Sequence, residues 1–160
     1  MKKTLLALAT VCGLLFSANA QDNKLFADRE VSLLLFSGYD LNQDYDLNGS
    51  LGFQMYPTRN FGASVTVPLY RTDGVIVDQA SFALLARLPL GIVSPYVGAG
   101  ARFNWEENRW NPVVHAGVEA RISQHFGAFG QFSWQPTEFG NWGDAKSSVE
   151  VGLNLLVWRK

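Results

Sequence analysis

The sequence predicts an all-β protein, an eight-stranded antiparallel up-and-down transmembrane β-barrel. Three observations support this prediction: an N-terminal export signal, eight segments in which apolar and polar residues alternate, and the confinement of charges to one face of those segments. Eight alternating segments separated by turn signals are typical of a meander that closes into a barrel.

The N-terminus has the pattern of a secretory signal peptide. Lys2 and Lys3 precede an apolar run over residues 5–16, and Ala18-Asn19-Ala20 is a small-x-small cleavage site. We therefore expect residues 1–20 to be a signal peptide and residues 21–160 to be the barrel domain. The alternative is a retained anchor, for which the run is short. Cleavage removes two lysines and the only cysteine, Cys12, so the formal charge changes from −1 to −3.

The last segment, residues 148–157, shows the alternation most clearly. Its odd positions are all apolar, and its even positions are small, polar or charged except for Leu156. Successive side chains of a strand point to opposite faces, so one face suits lipid and the other suits a polar interior. The segment is also about as long as a tilted strand must be to cross a bilayer.

Seven upstream segments repeat this pattern after a polar lead-in at residues 21–29. We predict these strands at residues 30–39, 47–55, 61–70, 80–88, 96–105, 114–122 and 126–135. Tight turns are expected at 57–60 and 123–125, and loops at 40–45, 71–78, 89–95, 106–110 and 136–145. Pro68 lacks a backbone donor and predicts a bulge or an unpaired position in the third strand.

The distribution of charge indicates which face meets lipid. None of the outward positions is charged, whereas the inward positions carry ionisable side chains: Glu30, Arg87, Arg102, His115, Glu119, Arg121 and Glu150. A soluble barrel with an apolar cavity would show the opposite arrangement. A charge facing lipid at mid-bilayer costs about 2–4 kcal/mol, and an open sheet edge in lipid would leave backbone groups unsatisfied, so the barrel must close.

Aromatic residues near the predicted strand ends indicate two interfacial girdles. At the end that carries the termini we place Tyr56, Phe61, Tyr96, Phe126 and Trp158. At the opposite end we place Tyr39, Tyr70, Trp105, Trp110 and Trp134.

With its signal peptide, strand count and alternation, the chain resembles the small outer-membrane barrels of the OmpX and OmpA-barrel class. The resemblance implies residence in the Gram-negative outer membrane, with outer-membrane lipid and lipopolysaccharide as partners. It also implies insertion by the barrel assembly machinery. The C-terminal pattern Glu150-x-Gly152-x-x-Leu155-x-Val157 is similar to the signal that this machinery recognises, although the chain ends in Arg159-Lys160 and not on an aromatic residue.

The inward charges predict a filled lumen, because eight strands enclose a space that side chains just fill. Counting residues from each turn puts Arg87, Tyr96 and Glu119 at similar depth, with Arg121 and Glu30 nearby. Arg102, His115 and Glu150 fall in the other half. We expect a plug of paired charges and a structural or surface-interaction function. The alternative is a narrow path for ions or small solutes, since ionisable groups at membrane depth are functional candidates.

A lipid-modifying enzyme is a second alternative. We expect His115 to lie across from Ser133, with Glu150 one strand further on, as a Ser-His-acid site would require. The outer-membrane lipid A deacylases carry a His-x-Ser-Asn motif, but here His115 is followed by Ala116-Gly117-Val118. We therefore expect no enzyme activity and no catalytic residue.

The remaining sequence features predict no ligand. Asp44-x-Asp46-x-Asn48-Gly49 matches half of a calcium-binding EF-hand loop, but its twelfth position is Met55 in place of a glutamate. We expect no cofactor and no metal. The mild acidity gives no support to nucleic-acid binding, and we expect a monomer.

Overall fold

Each alternating segment forms a β-strand in the computed structural model of the protein, which describes residues 25–41, 47–71, 77–138 and 141–160. The strands are β1 (Glu30–Asp40), β2 (Leu47–Tyr56), β3 (Phe61–Arg71), β4 (Gln79–Arg87), β5 (Val93–Asn104), β6 (Arg109–Arg121), β7 (Phe126–Glu138) and β8 (Asn141–Arg159). Each pairs antiparallel with the next, and β8 pairs with β1 to close the barrel. The predicted fold class is confirmed. The expected signal peptide and Cys12 lie outside the described residues.

Alternation along the strands sorts side chains between the outside and the lumen. In β4, Leu84 is 74% exposed on the outer face, whereas its neighbour Leu85 is 5% exposed in the lumen. In β6, Val114, Ala116 and Val118 are exposed, whereas His115 and Glu119, at positions of the opposite face, are buried. Such an outer surface is stable against lipid tails and would be costly to hydrate. Within the described ranges, no helix is long and apolar enough to cross a membrane.

A bulge interrupts the pairing of β2 with β3 at the predicted proline. Gly49 pairs with Tyr70 and Ser50 pairs with Pro68, so Leu69 is the extra residue. Pro68 also lies beyond the last β3–β4 pair, which joins Thr66 to Ser81. Both features fit a residue that has no backbone N–H to donate.

The prediction of a loop at residues 136–145 is wrong. There β7 continues to Glu138 and β8 begins at Asn141, with Gln135 opposite Lys146 and Pro136 opposite Ala145. Strand pairing satisfies backbone groups whatever the polarity of the side chains, so a hairpin can continue past the apolar band. The tight turns expected at 57–60 and 123–125 are confirmed. The hairpin loop expected at 89–95 is shorter than predicted, because β5 begins at Val93.

Two tyrosines assigned to an aromatic girdle point into the lumen instead. Tyr56 and Tyr96 are 1% and 8% exposed, because each occupies a position of its strand from which the side chain points inward. Position near a strand end gives depth in the membrane but not the face. The outward aromatics include Phe61 and Trp158 at the terminal end and Tyr39, Trp105 and Trp110 at the loop end. The side chain of Tyr70 lies outside the described part of the chain.

Candidate functional site: the barrel lumen

Four buried charges join across the terminal half of the lumen, and we call them the quartet: Glu30, Arg87, Glu119 and Arg121. Glu30 Oε2 lies 2.7 Å from Arg87 Nη2 and 3.1 Å from Arg121 Nη2. Arg121 Nε lies 2.6 Å from Glu119 Oε1. Two carboxylates and two guanidinium groups cancel in formal charge, which makes their burial tolerable.

Neighbouring polar groups add hydrogen bonds to the quartet. Asn154 Nδ2 donates to Glu119 Oε1 at 2.8 Å from β8, on another strand of the barrel. Arg87 Nε donates to the backbone oxygen of Arg59 at 2.7 Å. The backbone N–H of Ala27 donates to Glu30 Oε1 at 2.7 Å. Buried ion pairs are stable only when such additional hydrogen bonds satisfy the remaining lone pairs and protons.

An aromatic lid from the N-terminal segment covers the quartet. The ring of Phe26 lies 5.1 Å from the guanidinium carbons of both Arg87 and Arg121, and Phe26 is 2% exposed. Arg87 also stacks on Tyr56 at 3.7 Å, in a cation–π geometry. The prediction of a polar lead-in at residues 21–29 is therefore incorrect at Phe26, whereas Asp28 and Arg29 are exposed. The only sequence signal for the lid was Leu25-Phe26, an apolar pair placed just before the first strand.

Above the quartet, four apolar side chains enter the middle of the lumen among polar ones. Leu34, Leu85 and Phe129 are buried there, and the ring of Phe36 packs edge-on against Phe129 at 5.7 Å. We call these four residues the apolar belt. The cavity beside them measures about 20 Å³, roughly the space of one water molecule. The belt is not among the features predicted from the sequence, and its only signal there is inward apolar residues that break the alternation.

The loop half of the lumen is a polar vestibule of about 270 Å³. In it, His115 Nδ1 lies 3.1 Å from Ser133 Oγ, and Arg102 Nε donates to Ser81 Oγ at 2.7 Å. Glu150 accepts hydrogen bonds from Gln131 Nε2 and from Ser148 Oγ. The expected juxtaposition of His115 and Ser133 is present, while the carboxylate of Glu150 is engaged by these other partners.

The structure thus divides the seven predicted lumen residues between two sites. The quartet takes four of them, and Arg102, His115 and Glu150 line the vestibule. Of the C-terminal pattern, Glu150 faces inward, whereas Leu155 and Val157 face outward. Gly152 lies where a Cβ atom would meet the backbone oxygen of Leu35 at 2.5 Å.

In the described part of the chain, no group of three or more His, Cys, Asp or Glu side chains could hold a metal ion. Of the half EF-hand pattern, Asp44 and Asp46 lie outside the described residues, and Asn48 and Gly49 belong to β2.

No protein-family model and no curated protein matches the chain. Several solved structures do. A designed transmembrane β-barrel matches with a TM-score of 0.63 and 17% identity, over 82% of this chain and 97% of that chain. The N-terminal β-barrel domain of Pseudomonas aeruginosa OprF matches with a TM-score of 0.58 and 15% identity, over 81% and 98%. The outer membrane protein OprG of the same organism matches at 0.53 and 10%, over 81% and 94%. At these identities the likeness concerns the fold, and the chain has the fold of the small eight-stranded transmembrane β-barrels, with buried salt bridges in its lumen.

Proposed function

We propose that the chain is an outer-membrane protein of the Gram-negative envelope with a structural or surface-interaction function, and that it does not form a pore. The observation that carries this proposal is the double closure of the lumen by the quartet and the apolar belt. An ion moving along the axis would have to separate buried ion pairs and pass the apolar belt, beside which the cavity measures only about 20 Å³. Both steps are costly in a medium of low dielectric constant.

The arrangement of turns supports one orientation in the membrane. The turns at 57–60 and 123–125, at the end that carries the termini, are short. Short turns on the periplasmic side and longer loops outside are typical of outer-membrane barrels. We propose outer-membrane lipid and lipopolysaccharide as partners, the latter through divalent cations held by acidic loops. The barrel assembly machinery would recognise the pattern of Glu150, Gly152, Leu155 and Val157.

A conductance measurement on the mature protein, folded into phosphatidylcholine vesicles and fused to a planar bilayer, tests the closure. We expect no discrete current steps for the wild type. Leu85→Ala combined with Phe129→Ala thins the apolar belt and should admit transient leaks. The matched control Leu84→Ala removes a neighbouring leucine from the lipid face and should stay closed. Stable current steps in the wild type would refute the proposal.

The hydrogen-bonded contact of His115 with Ser133 is the specific observation that favours an enzyme as second candidate. Both side chains face the lumen, where an acyl chain of a membrane lipid has poor access. We expect cells that express the protein to show no change in the mass of lipid A. A mass change abolished by His115→Ala but retained in the control His125→Ala would support the enzyme.

A further inference from the structure

The pairing of β6 with β7 stops before either strand ends. Among the described residues, the last pair joins Val114 to Trp134, and both strands continue beyond it toward the loops. The same register, continued, would place Pro112 opposite Pro136. Neither proline has a backbone N–H to donate to the other strand, so the ladder loses its donors at this rung. We call the unpaired stretch the proline seam: residues 109–113 of β6 and 135–138 of β7.

A second seam separates β3 from β4 at the same end of the barrel. The last pair of these strands joins Thr66 to Ser81, and the continued register would place Pro68 opposite Gln79. Between the two seams, β4, β5 and β6 stay paired with one another up to their loop ends. We call the loop halves of these three strands the three-strand wall: residues 79–82, 100–105 and 109–113.

Aromatic side chains strengthen the three-strand wall. The ring centroid of Phe103 lies 5.0 Å from that of Trp110 and 6.0 Å from that of Trp105. The ring centroid of Phe82 lies 6.2 Å from that of Trp110. Because these contacts join β4, β5 and β6 on the outer face, the wall should tilt as one unit.

Tilting of the wall at the proline seam breaks no pairing of the sheet. The seam is closed by the packing of Pro112, Val113 and Pro136, all of which are buried. Where strands are paired in lipid, their separation is costly, because lipid offers the freed backbone groups no partner. The seam avoids this cost, so the side of the barrel opens more easily there than between paired strands.

The vestibule lies directly behind the proline seam, and Asn111 offers a ligand an acceptor there. Asn111 is 6% exposed and lines the vestibule, and its Oδ1 has no hydrogen-bond partner. A carboxamide oxygen accepts hydrogen bonds, so a ligand that satisfies it must carry an N–H or O–H donor. Gln135, on the other side of the seam, lines the same cavity. An opened seam would therefore connect this polar cavity with the lipid-facing surface.

We propose that the proline seam is a side entrance for an amphiphile of the loop-side leaflet. Its headgroup, which carries hydrogen-bond donors, binds Asn111 Oδ1 in the vestibule, and its single acyl chain stays in lipid. Trp110 and Val114, on either side of Pro112, are exposed on the outer face, and a tryptophan at a strand end marks the headgroup layer. The seam therefore lies at the depth where a headgroup meets its chain. The proposal goes beyond a structural or surface-interaction function and rests on the barrel spanning a bilayer, as proposed above.

The first test titrates dodecylammonium chloride into the full mature barrel in phosphatidylcholine nanodiscs and follows the side-chain amide signals of Asn111 by NMR. We expect saturable shifts. Dodecyltrimethylammonium chloride has the same chain and charge but no N–H donor, and it should give no saturable shift. Asn111→Leu, followed through the backbone signal of Ser133, should weaken binding about tenfold, because a hydrogen bond from a charged donor is lost. The control Asn60→Leu, in the turn at the terminal end, should bind as the wild type does.

The second test closes the seam with a disulfide. The mature chain expected from residue 21 has no cysteine, so Val113→Cys with Gln135→Cys places the only thiols on the two sides of the seam. Oxidation should abolish the shifts of Asn111, and reduction should restore them. The control Val118→Cys with Gly130→Cys cross-links the same strands at a rung where they pair, and it should leave binding unchanged.

The outcomes separate the possible failures. Gel mobility before boiling reports insertion, so a barrel that does not insert contradicts the transmembrane proposal, whereas an inserted barrel without saturable shifts contradicts the vestibule site. Binding that persists in the oxidised seam variant would show entry from the loop end and overturn the side entrance. Equal shifts with ethylammonium chloride, which has no long chain, would identify a soluble ammonium ion as the ligand and overturn the amphiphile. Seam cysteines that do not cross-link, in conditions where the control cysteines do, would contradict the packed seam.

Discussion

Glu119 shows how one side chain ties the interior of this barrel together. It sits on β6, contacts Arg121 on the same strand at 2.6 Å, and accepts from Asn154 on β8 at 2.8 Å. Arg121 in turn reaches Glu30 on β1. These links cross the lumen between strands that are not all neighbours in the sheet, so the quartet adds a tie that backbone pairing does not supply.

The first prediction concerns this carboxylate. Glu119→Ala should lower the free energy of unfolding by about 3–5 kcal/mol, because it leaves a buried guanidinium group without one partner. Adding Arg121→Met should recover part of the loss. Adding Arg87→Met should recover less, because Arg87 pairs with Glu30 and also binds the oxygen of Arg59. Urea unfolding in lipid vesicles gives the free energy of unfolding of the wild type, the single variant and the two double variants. Equal recovery by Arg121→Met and Arg87→Met would contradict the pairing of Glu119 with Arg121.

Among the strands, close approach of neighbours restricts some positions to glycine. Gly100 on β5 pairs with Ala83 on β4, and a Cβ atom added there would lie 1.8 Å from the backbone oxygen of Phe82. Gly130 on β7 is different, since an added Cβ would meet only Glu150 O at 4.0 Å. The same residue type thus serves packing at one position and not at the other.

These two glycines give the second prediction. Gly100→Ala should destabilise the barrel by about 1–3 kcal/mol, because β4 and β5 must separate to admit the methyl group. Gly130→Ala should be nearly neutral. Denaturation midpoints of the two variants in the same detergent provide the comparison. An equal effect of the two substitutions would show that the close approach of β4 to β5 is not the cause.

The third prediction tests the outward face of β6. Val118→Arg should cost about 2–4 kcal/mol if its depth is near the bilayer midplane, because lipid offers the guanidinium group no partner. Val118→Leu should be nearly silent, since it keeps an apolar side chain against lipid. Unfolding from lipid vesicles measures the free energy of unfolding of both variants. A harmless Val118→Arg would mean that this face does not contact lipid.

For the whole molecule, an even number of strands returns the chain to the side on which it began. Closure pairs all strands, so the barrel should resist detergent until it is boiled and should then migrate differently on a gel. The start of β1, the end of β8 and the turn that contains Arg59 lie at one end, and the end of β3 lies at the other.

The fourth prediction follows from this topology. An epitope inserted after Asp73 should be detected on intact cells, whereas one inserted after Arg59 should be detected only after permeabilisation. Detection of both in permeabilised cells is the control for expression. The reverse pattern on intact cells would invert the proposed orientation.

Two properties of the barrel can be predicted from the sequence: the face of each strand that meets lipid, and the depth of each inward charge. Strand geometry is regular, so the odd or even position of a residue along its strand gives the face on which its side chain lies. The number of residues between it and the nearest turn gives its depth in the membrane. Val118 and Glu119 are therefore assigned to opposite faces, and Arg87 to a depth near that of Glu119, from residue positions alone. Eight strands in lipid must also close, because unpaired backbone groups have no solvent there.

The groups that meet across the lumen are specified by the tertiary structure and not by the pattern of residues. The face and the depth of a residue do not define its side-chain rotamer, and the rotamers decide which charges meet. In the structure, Arg87 pairs with Glu30, whereas Arg121 contacts both Glu30 and Glu119. Phe26 precedes the first strand, where no periodicity constrains the chain, and its position as a lid depends on contacts with Arg87 of β4 and Arg121 of β6. The hairpin at 136–145 also depends on the tertiary structure and not on the pattern of residues. Backbone pairing there extends β7 and β8 beyond the region where lipid enforces alternation.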